Sequence, residues 1–358
     1  MTFSEAQKAI YIDFECSAKE IKRPAILGVL RPNRTVTHYV IDPDLADAAR
    51  AHPDCQAATL SDVLTQLADE CRKDETRLVS WSRFEMAVIR AASRVENAAA
   101  VLGKAHVNAL DVVPKWAATY GAKTEKKKFE ARNQLHQFFP IGGYRPDWRY
   151  GRAAPASWIR HVRAQMAARD GRYHVNRETR RDWHLLLTYN RHDCLGMRHL
   201  VSRATAETEK RRAYLDATYT VRHAGQVVRF KIGARMVALD ALVARHDAMR
   251  WAHITAWNPG LATLSATENR RRLKALDHVV RERGYTTLPG DGQDDKKQWP
   301  AEESLFVIGM AQEEARGLAR DFGQWAIVTG QRDQAARLVW CLNQGADPLA
   351  VGPTNAPL

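Results

Sequence analysis

Two absences narrow the possibilities first. The chain has no apolar run of about 18 residues, and its opening MTFSEAQK lacks the basic and apolar character of a leader, so neither membrane insertion nor secretion is expected. Cysteine is scarce: Cys16, Cys55, Cys71, Cys194 and Cys341 form an odd set of five with no C-x-x-C pair, which argues against a disulfide framework or a cysteine zinc site. Reduced thiols in a cytoplasmic protein are the expectation. Internal repeats and low-complexity tracts are also missing. At 358 residues and 45% hydrophobic content the chain is too apolar to be a disordered tail and long enough for two packed domains.

What is abundant is positive charge, and it is local. The net charge is +13, and residues 121–181 alone hold fifteen Lys or Arg against five acids, whereas 251–330 is close to neutral. Tyr144, Trp148, Tyr150, Trp158 and Tyr173 sit among those charges. Basic residues interleaved with aromatics suit phosphate neutralisation and base stacking. A solvated helical face with its own core aromatics has the same composition.

Three β-rich stretches open the chain, AIYIDFEC, AILGVL and VTHYVI, and read as a meander. A helical pattern over about 61–71, a short strand RLVSW and a helix carrying FEMAVIRAA follow, then VNALD and a helix VVPKWAATYG. A long helical pattern from about 178 to 212 contains YNRHDCLGM. Strands followed by alternating helices and strands predict an α/β layer fold with a mixed sheet. Beyond it, TYTVRHAGQVVRF predicts a hairpin turning at 223–226, and alternating helices and strands predict a second, smaller α/β domain, with a helix capped by Ser265.

The first strand poses a chemical question. Side chains alternate along a strand, so Asp13 and Glu15 share a face while Ile12 and Phe14 share the other. Two carboxylates about 5 Å apart repel by roughly 3 kcal/mol at an effective dielectric near 20, so basic partners or a cation must offset them. Tyr189 and Asp193, four apart on the long helix, present a second acid beside a phenol, and Glu85 in SWSRFEMAVIR presents another from an early helical turn. Asp111 in NALDVV competes with Glu85, although an Asp before a helix with Pro114 in its first turn is also a natural N-cap.

D-x-E on the first strand, an acid in SWSRFEMAVIR and Y-x-x-x-D on a closing helix together resemble the DEDD exonucleases in their tyrosine variant, over about residues 8–205. The resemblance implies a ribonuclease H-like mixed sheet with flanking helices. It also implies two divalent ions, Mg²⁺ or Mn²⁺, held by Asp13, Glu15 and Asp193, with Tyr189 orienting the attacking water. The second-motif position carries Glu85 where the family has aspartate. The implied activity is hydrolysis of phosphodiester bonds, as a 3′ to 5′ exonuclease on single-stranded ends, with Lys126, Lys127, Lys128, Arg132, Arg145, Arg149 and Arg152 contacting nucleic acid. The alternative is a catalytically impaired nucleic-acid-binding module within a larger assembly. DNA or RNA, and exo- or endonuclease action, stay open.

The expected organisation is a first domain over 1–212 with a basic helical insertion over 121–181, a second over 213–345, and a frayed tail over 346–358. Blocks such as ITAWNP, TENRR and FGQWAIVTG resemble a small bacterial domain family of unknown function. Asn258, Asn269, Glu303, Ser304 and Gln324 either converge on a ligand there or serve as caps and turns.

Overall fold

Alternation along the first strand sets the architecture. In the computed structural model, which describes residues 1–17, 23–92, 96–120, 134–146, 154–173, 176–260, 262–295 and 300–341, strand β1 (Ile10–Cys16) sends Ile10, Ile12 and Phe14 into one hydrophobic layer and Tyr11 into another. The chain divides into two compact units, 1–207 and 208–358.

In the first unit, β1, β2 (Pro24–Leu30) and β3 (Val36–Val40) form the expected antiparallel meander. Three short strands, β4 (Cys55–Ala57), β5 (Leu78–Ser80) and β6 (His106–Asn108), extend it to a six-stranded mixed sheet ordered β4-β3-β2-β1-β5-β6. The pairs β3/β4, β1/β5 and β5/β6 are parallel. Helix α1 (Phe3–Lys8) begins with a capping box between Thr2 and Glu5 and leads into β1.

One face of the sheet is covered by α2 (Leu60–Lys73), α3 (Phe84–Ala91) and α4 (Glu96–Ala105), with Leu64, Leu67, Met86, Ile89 and Leu102 packed on Ile12, Phe14, Leu27 and Val29. The opposite face meets α5 (Val113–Ala118), the single turn α6 (Phe139–Gly142), α7 (Pro155–Ala167) and the long α8 (Arg177–Asp216). Trp116, Phe139, Met197 and Leu200 cluster there around Tyr11. Ile159, Val162, Trp183 and Leu186 cover Ile26 and Val40. Asp13 and Glu15 share the Tyr11 face of β1, the face that α8 crosses.

The second unit is a curled, seven-stranded antiparallel sheet ordered β13-β12-β9-β11-β10-β7-β8. Its strands are β7 (Ala217–His223), β8 (Gln226–Phe230), β9 (Arg250–Ile254), β10 (Thr286–Asp294), β11 (Glu302–Ile308), β12 (Ala326–Gln331) and β13 (Arg337–Trp340). The β7–β8 hairpin turns at Ala224 and Gly225, whose φ of 49° and 75° are the pair of positive values that a type I′ turn requires. Helix α9 (Val237–Ala244) packs Leu239 and Val243 with Phe230, Trp251 and Phe306. A separate core joins α10 (Ala266–Glu282) and α11 (Gln312–Asp321), through Leu276, Val280 and Leu318, to Ala252 and Val307. Ser265 caps α10 as expected, accepting the Glu268 N–H at 3.2 Å. Among the described residues no helix is long and apolar enough to cross a membrane.

Candidate metal centre

The pleat of β1 brings Asp13 and Glu15 to one face, and helical spacing along α8 brings Asp193 to meet them. One ligand oxygen from each of the three carboxyls lies within 4.8 Å of the others. Glu15 and Asp193 are buried and Asp13 is half-buried. Burial, and then mutual repulsion, raise all three carboxyls well above their ordinary range: Asp13 chiefly against Glu85, Glu15 against Asp13 and Asp193, and Asp193 against Asp13. No Lys or Arg pairs with any of them among the described ion pairs. Three carboxylate oxygens gathered without a counter-charge among the described residues form a donor set that fits a hard divalent cation.

Glu85 stands at the second residue of α3, buried and close enough to add to the repulsion on Asp13, Glu15 and Asp193. Its Oε2 accepts from the Ser82 N–H at 3.3 Å and the Ser82 hydroxyl at 3.1 Å, and burial pushes its pKa up to about 7. It borders the three-carboxylate cluster without joining it. The Tyr189 ring is half-buried, 6.4 Å from the Trp158 ring, and its hydroxyl is raised first by burial and then by the charges of Glu15 and Asp13.

Asp111 needs a correction. It is exposed and contributes to none of these shifts, and it does not cap α5, whose N-cap is Val112 with no side-chain bond. Three residues before Asp111, Asn108 caps the short 3-10 turn Ala109–Asp111, its Oδ1 accepting the Leu110 N–H at 3.0 Å. His192 is a packing residue, with Nδ1 2.8 Å from the Tyr144 hydroxyl.

The basic segment divides. Arg145 is exposed. Lys126, Lys127, Lys128, Arg132, Arg149 and Arg152 lie outside the described residues, as do Trp148 and Tyr150. Other cations of the segment are used within the fold: Arg160 donates to Ser17 O at 2.8 Å, and Arg163 donates to Ser17 Oγ at 3.1 Å and pairs with the buried Asp42. The aromatics Tyr144, Trp158 and Tyr173 are half-buried and pack against hydrophobic clusters.

Two residues of the site escaped the sequence reading. Asn190 Nδ2 donates to Asp13 Oδ2 at 2.7 Å and to the Asp13 carbonyl at 3.0 Å, and Ser82 holds Glu85. Asn190 left a signal, because a poor helix former inside a long helix and three residues before Asp193 falls on the same buried face.

In the second unit the polar residues bond to one another or to the main chain. Asn258, at φ 43°, donates its N–H to Asn269 Oδ1 at 2.8 Å, and its own Oδ1 accepts from Asn269 Nδ2 at 2.9 Å and the Leu264 N–H at 3.0 Å. Gln324 donates to Trp257 O at 2.7 Å, Ser304 donates to Glu302 O at 3.0 Å, and Glu303 pairs with Arg270 at 2.9 Å. Asn269→Leu is expected to lower the urea stability of the second unit by about 2 kcal/mol, because the Asn258 N–H loses its acceptor.

The raised carboxyls have a pH signature. A folded-state pKa above the unfolded value means that the native protein holds a proton the unfolded chain has lost, so stability falls as pH rises from about 4.5 through about 7 at Glu85. His38, buried and pushed down to about 4, acts oppositely below about 6.5, where the unfolded chain takes up the proton. Comparing wild type with Glu85→Gln removes the histidine contribution. In chelator, the variant is expected to be more stable than wild type at pH 8, by on the order of 3 kcal/mol, and the gap should shrink to near zero at pH 4.5. Denaturant melts at the two pH values check this.

The family model described as "Protein of unknown function (DUF3293)" matches residues 254–327, within the second unit. No curated protein and no solved structure matches the chain. The acidic cluster therefore rests on its own geometry.

Proposed function

We propose that the first unit is a metal-dependent nuclease, a 3′ to 5′ exonuclease acting on single-stranded nucleic acid ends. The observation that carries the reading is the gathering of Asp13, Glu15 and Asp193 within 4.8 Å, with no Lys or Arg paired to them among the described residues and with Tyr189 and Glu85 alongside. The sheet order supports a ribonuclease H-like reading: an antiparallel meander β3-β2-β1 followed by two parallel strands, β5 and β6, on the other side of β1.

In this reading Asp13, Glu15 and Asp193 would hold one or two Mg²⁺ or Mn²⁺ ions. Bound there, such ions activate a water and neutralise the leaving oxygen of a phosphodiester. The chain's own residues do the rest. The three carboxylates fix the site on a rigid strand and helix, and Ser82 holds Glu85 at its margin. The Tyr189 hydroxyl, kept protonated far beyond neutral pH, serves as a donor that orients the water. Residues 121–181 offset the repulsion between an acidic site and a polyanion.

The test is degradation of 5′-labelled single-stranded DNA and RNA in Mg²⁺ or Mn²⁺, comparing wild type with Asp13→Ala. A metal-dependent ladder that shortens from the 3′ end, and that the variant fails to produce, is the expected outcome. One observation favours the second reading, a binding module with impaired catalysis: Glu85 is turned to Ser82 rather than into the cluster. Strand binding without cleavage by wild type in either metal would select it.

Both readings assign nucleic acid contact to the basic segment. Replacing Lys126, Lys127 and Lys128 together by alanine should weaken single-strand binding and reduce the slope of log K against log salt by about 2. Fluorescence anisotropy over a salt series measures both.

A further inference from the structure

β2 is apolar along its length except for one residue without a side chain, Gly28, and β1 pairs Asp13 directly opposite it. A glycine inside a strand weakens it unless another group needs the space. Here the space is taken by Asn190 from α8. A Cβ built on Gly28 would lie 2.0 Å from Asn190 Oδ1 and 2.8 Å from its Cγ, closer than atoms can approach. Asn190 is fully buried, and its Oδ1 has no hydrogen-bond partner among the described residues. Its amide is therefore placed for what Nδ2 does, which is to donate to Asp13 Oδ2 and to the Asp13 carbonyl. The opposite amide orientation would set Oδ1 against a carboxylate.

We propose that Gly28 and Asn190 act as a positioning pair for the cation site: the open Gly28 position admits the Asn190 amide, which locks the Asp13 carboxylate by one oxygen and leaves the other for the metal. This rests on the metal-site reading given above. Asp13 is repelled by Glu85 and hydrogen-bonded to Glu15, and one of its oxygens lies within 4.8 Å of oxygens of Glu15 and Asp193, so the orientation of its carboxylate decides whether the three ligand oxygens stay gathered. The Asn190 bond fixes that orientation. The pair couples two positions 162 residues apart in sequence, in contact only because α8 crosses β2 at a glycine.

The experiment is Mn²⁺ titration by calorimetry on chelator-stripped full-length protein: wild type, Gly28→Ala, Asn190→Ala and the double variant. Asn190→Ala is expected to weaken Mn²⁺ binding by about 10- to 100-fold, the range found when an outer partner of a metal ligand is lost. Gly28→Ala should do the same by displacing the amide. In the double variant the truncated residue 190 removes the two overlapping contacts and leaves the new methyl only the tight contact with Cys194 Sγ at 3.1 Å, so its affinity should be close to that of Asn190→Ala, a non-additivity that a general loss of stability does not produce. Should Gly28→Ala fail to fold, Asn190→Ala beside its control carries the test of the amide's role. Leu187→Ala, buried on the same helix, is the control: a lower melting temperature with wild-type Mn²⁺ affinity is expected. Wild-type affinity in Asn190→Ala, or additive losses in the double variant, would overturn the positioning role while leaving the metal site standing. A wild type that takes up no Mn²⁺ would overturn the metal site itself, and the pair's role with it.

Discussion

Replacing Asp193 by asparagine is expected to lower metal-dependent strand hydrolysis by about 10³-fold or more while raising the melting temperature of the metal-free protein. The two effects have one cause. Asp193 is buried with an oxygen within 4.8 Å of oxygens of Asp13 and Glu15, and burial and repulsion raise all three carboxyls. At an effective dielectric near 20, each charged pair at that spacing costs roughly 3 kcal/mol. Asparagine keeps the shape, removes a charge and gives its neighbours a donor, so the metal-free fold relaxes. The same change removes one anionic ligand from the site. A carboxylate kept for the fold alone would respond with the opposite sign, losing stability when neutralised. Melting in chelator and a strand-degradation time course separate these cases.

The second large effect lies away from the acids. Arg203 is 0% exposed. Its Nε donates to Glu207 Oε1 at 2.7 Å and its Nη1 to Gly142 O at 2.8 Å, and its guanidinium carbon stands 5.4 Å from the Trp116 ring centre. Glu207 Oε2 in turn accepts from Trp116 Nε1 and, at 2.7 Å, from the Tyr120 hydroxyl. This network ties α8 to α5 and α6, and so fixes the helix that delivers Tyr189, Asn190 and Asp193. Glu207→Ala leaves a buried guanidinium without its anion and is expected to destabilise the first unit by about 3–5 kcal/mol. Arg203→Met combined with Glu207→Leu removes both charges and should cost far less than either truncation alone. Urea unfolding of the variants beside wild type measures the difference.

Much of the site was legible because its geometry is local. A two-residue repeat puts Asp13 and Glu15 on one face of β1, and a four-residue spacing puts Tyr189 and Asp193 on one face of α8. The β1–β3 meander, the β7–β8 hairpin and the Ser265 cap were readable for the same reason. The short strands β4 and β6 were not, since three residues carry no period. Partner choice was also hidden. Arg160 and Arg163 look like phosphate-binding charge in composition, yet they hold Ser17 and Asp42, because ion pairing depends on which elements the fold brings together. Asp111 looked like a cap because an Asp stood before Val112, Val113 and Pro114, but the chain turns three residues earlier, at Asn108, and Asp111 ends that turn. Gly28 and Asn190 each left a local oddity, a glycine in an apolar strand and an asparagine in a long helix. Only the crossing of α8 over β2 makes them one feature.

The most direct test of the acidic cluster is Mn²⁺ titration of the chelator-stripped wild type beside Asp13→Ala, with the heat measured in two buffers of different ionisation enthalpy so that proton release is counted. The expected result is saturable Mn²⁺ binding by wild type with release of protons, since carboxyls raised by burial and repulsion must give them up to bind a cation, and no such binding by the variant. Equal heats from the two proteins, or none from either, would contradict a divalent cation site at Asp13, Glu15 and Asp193.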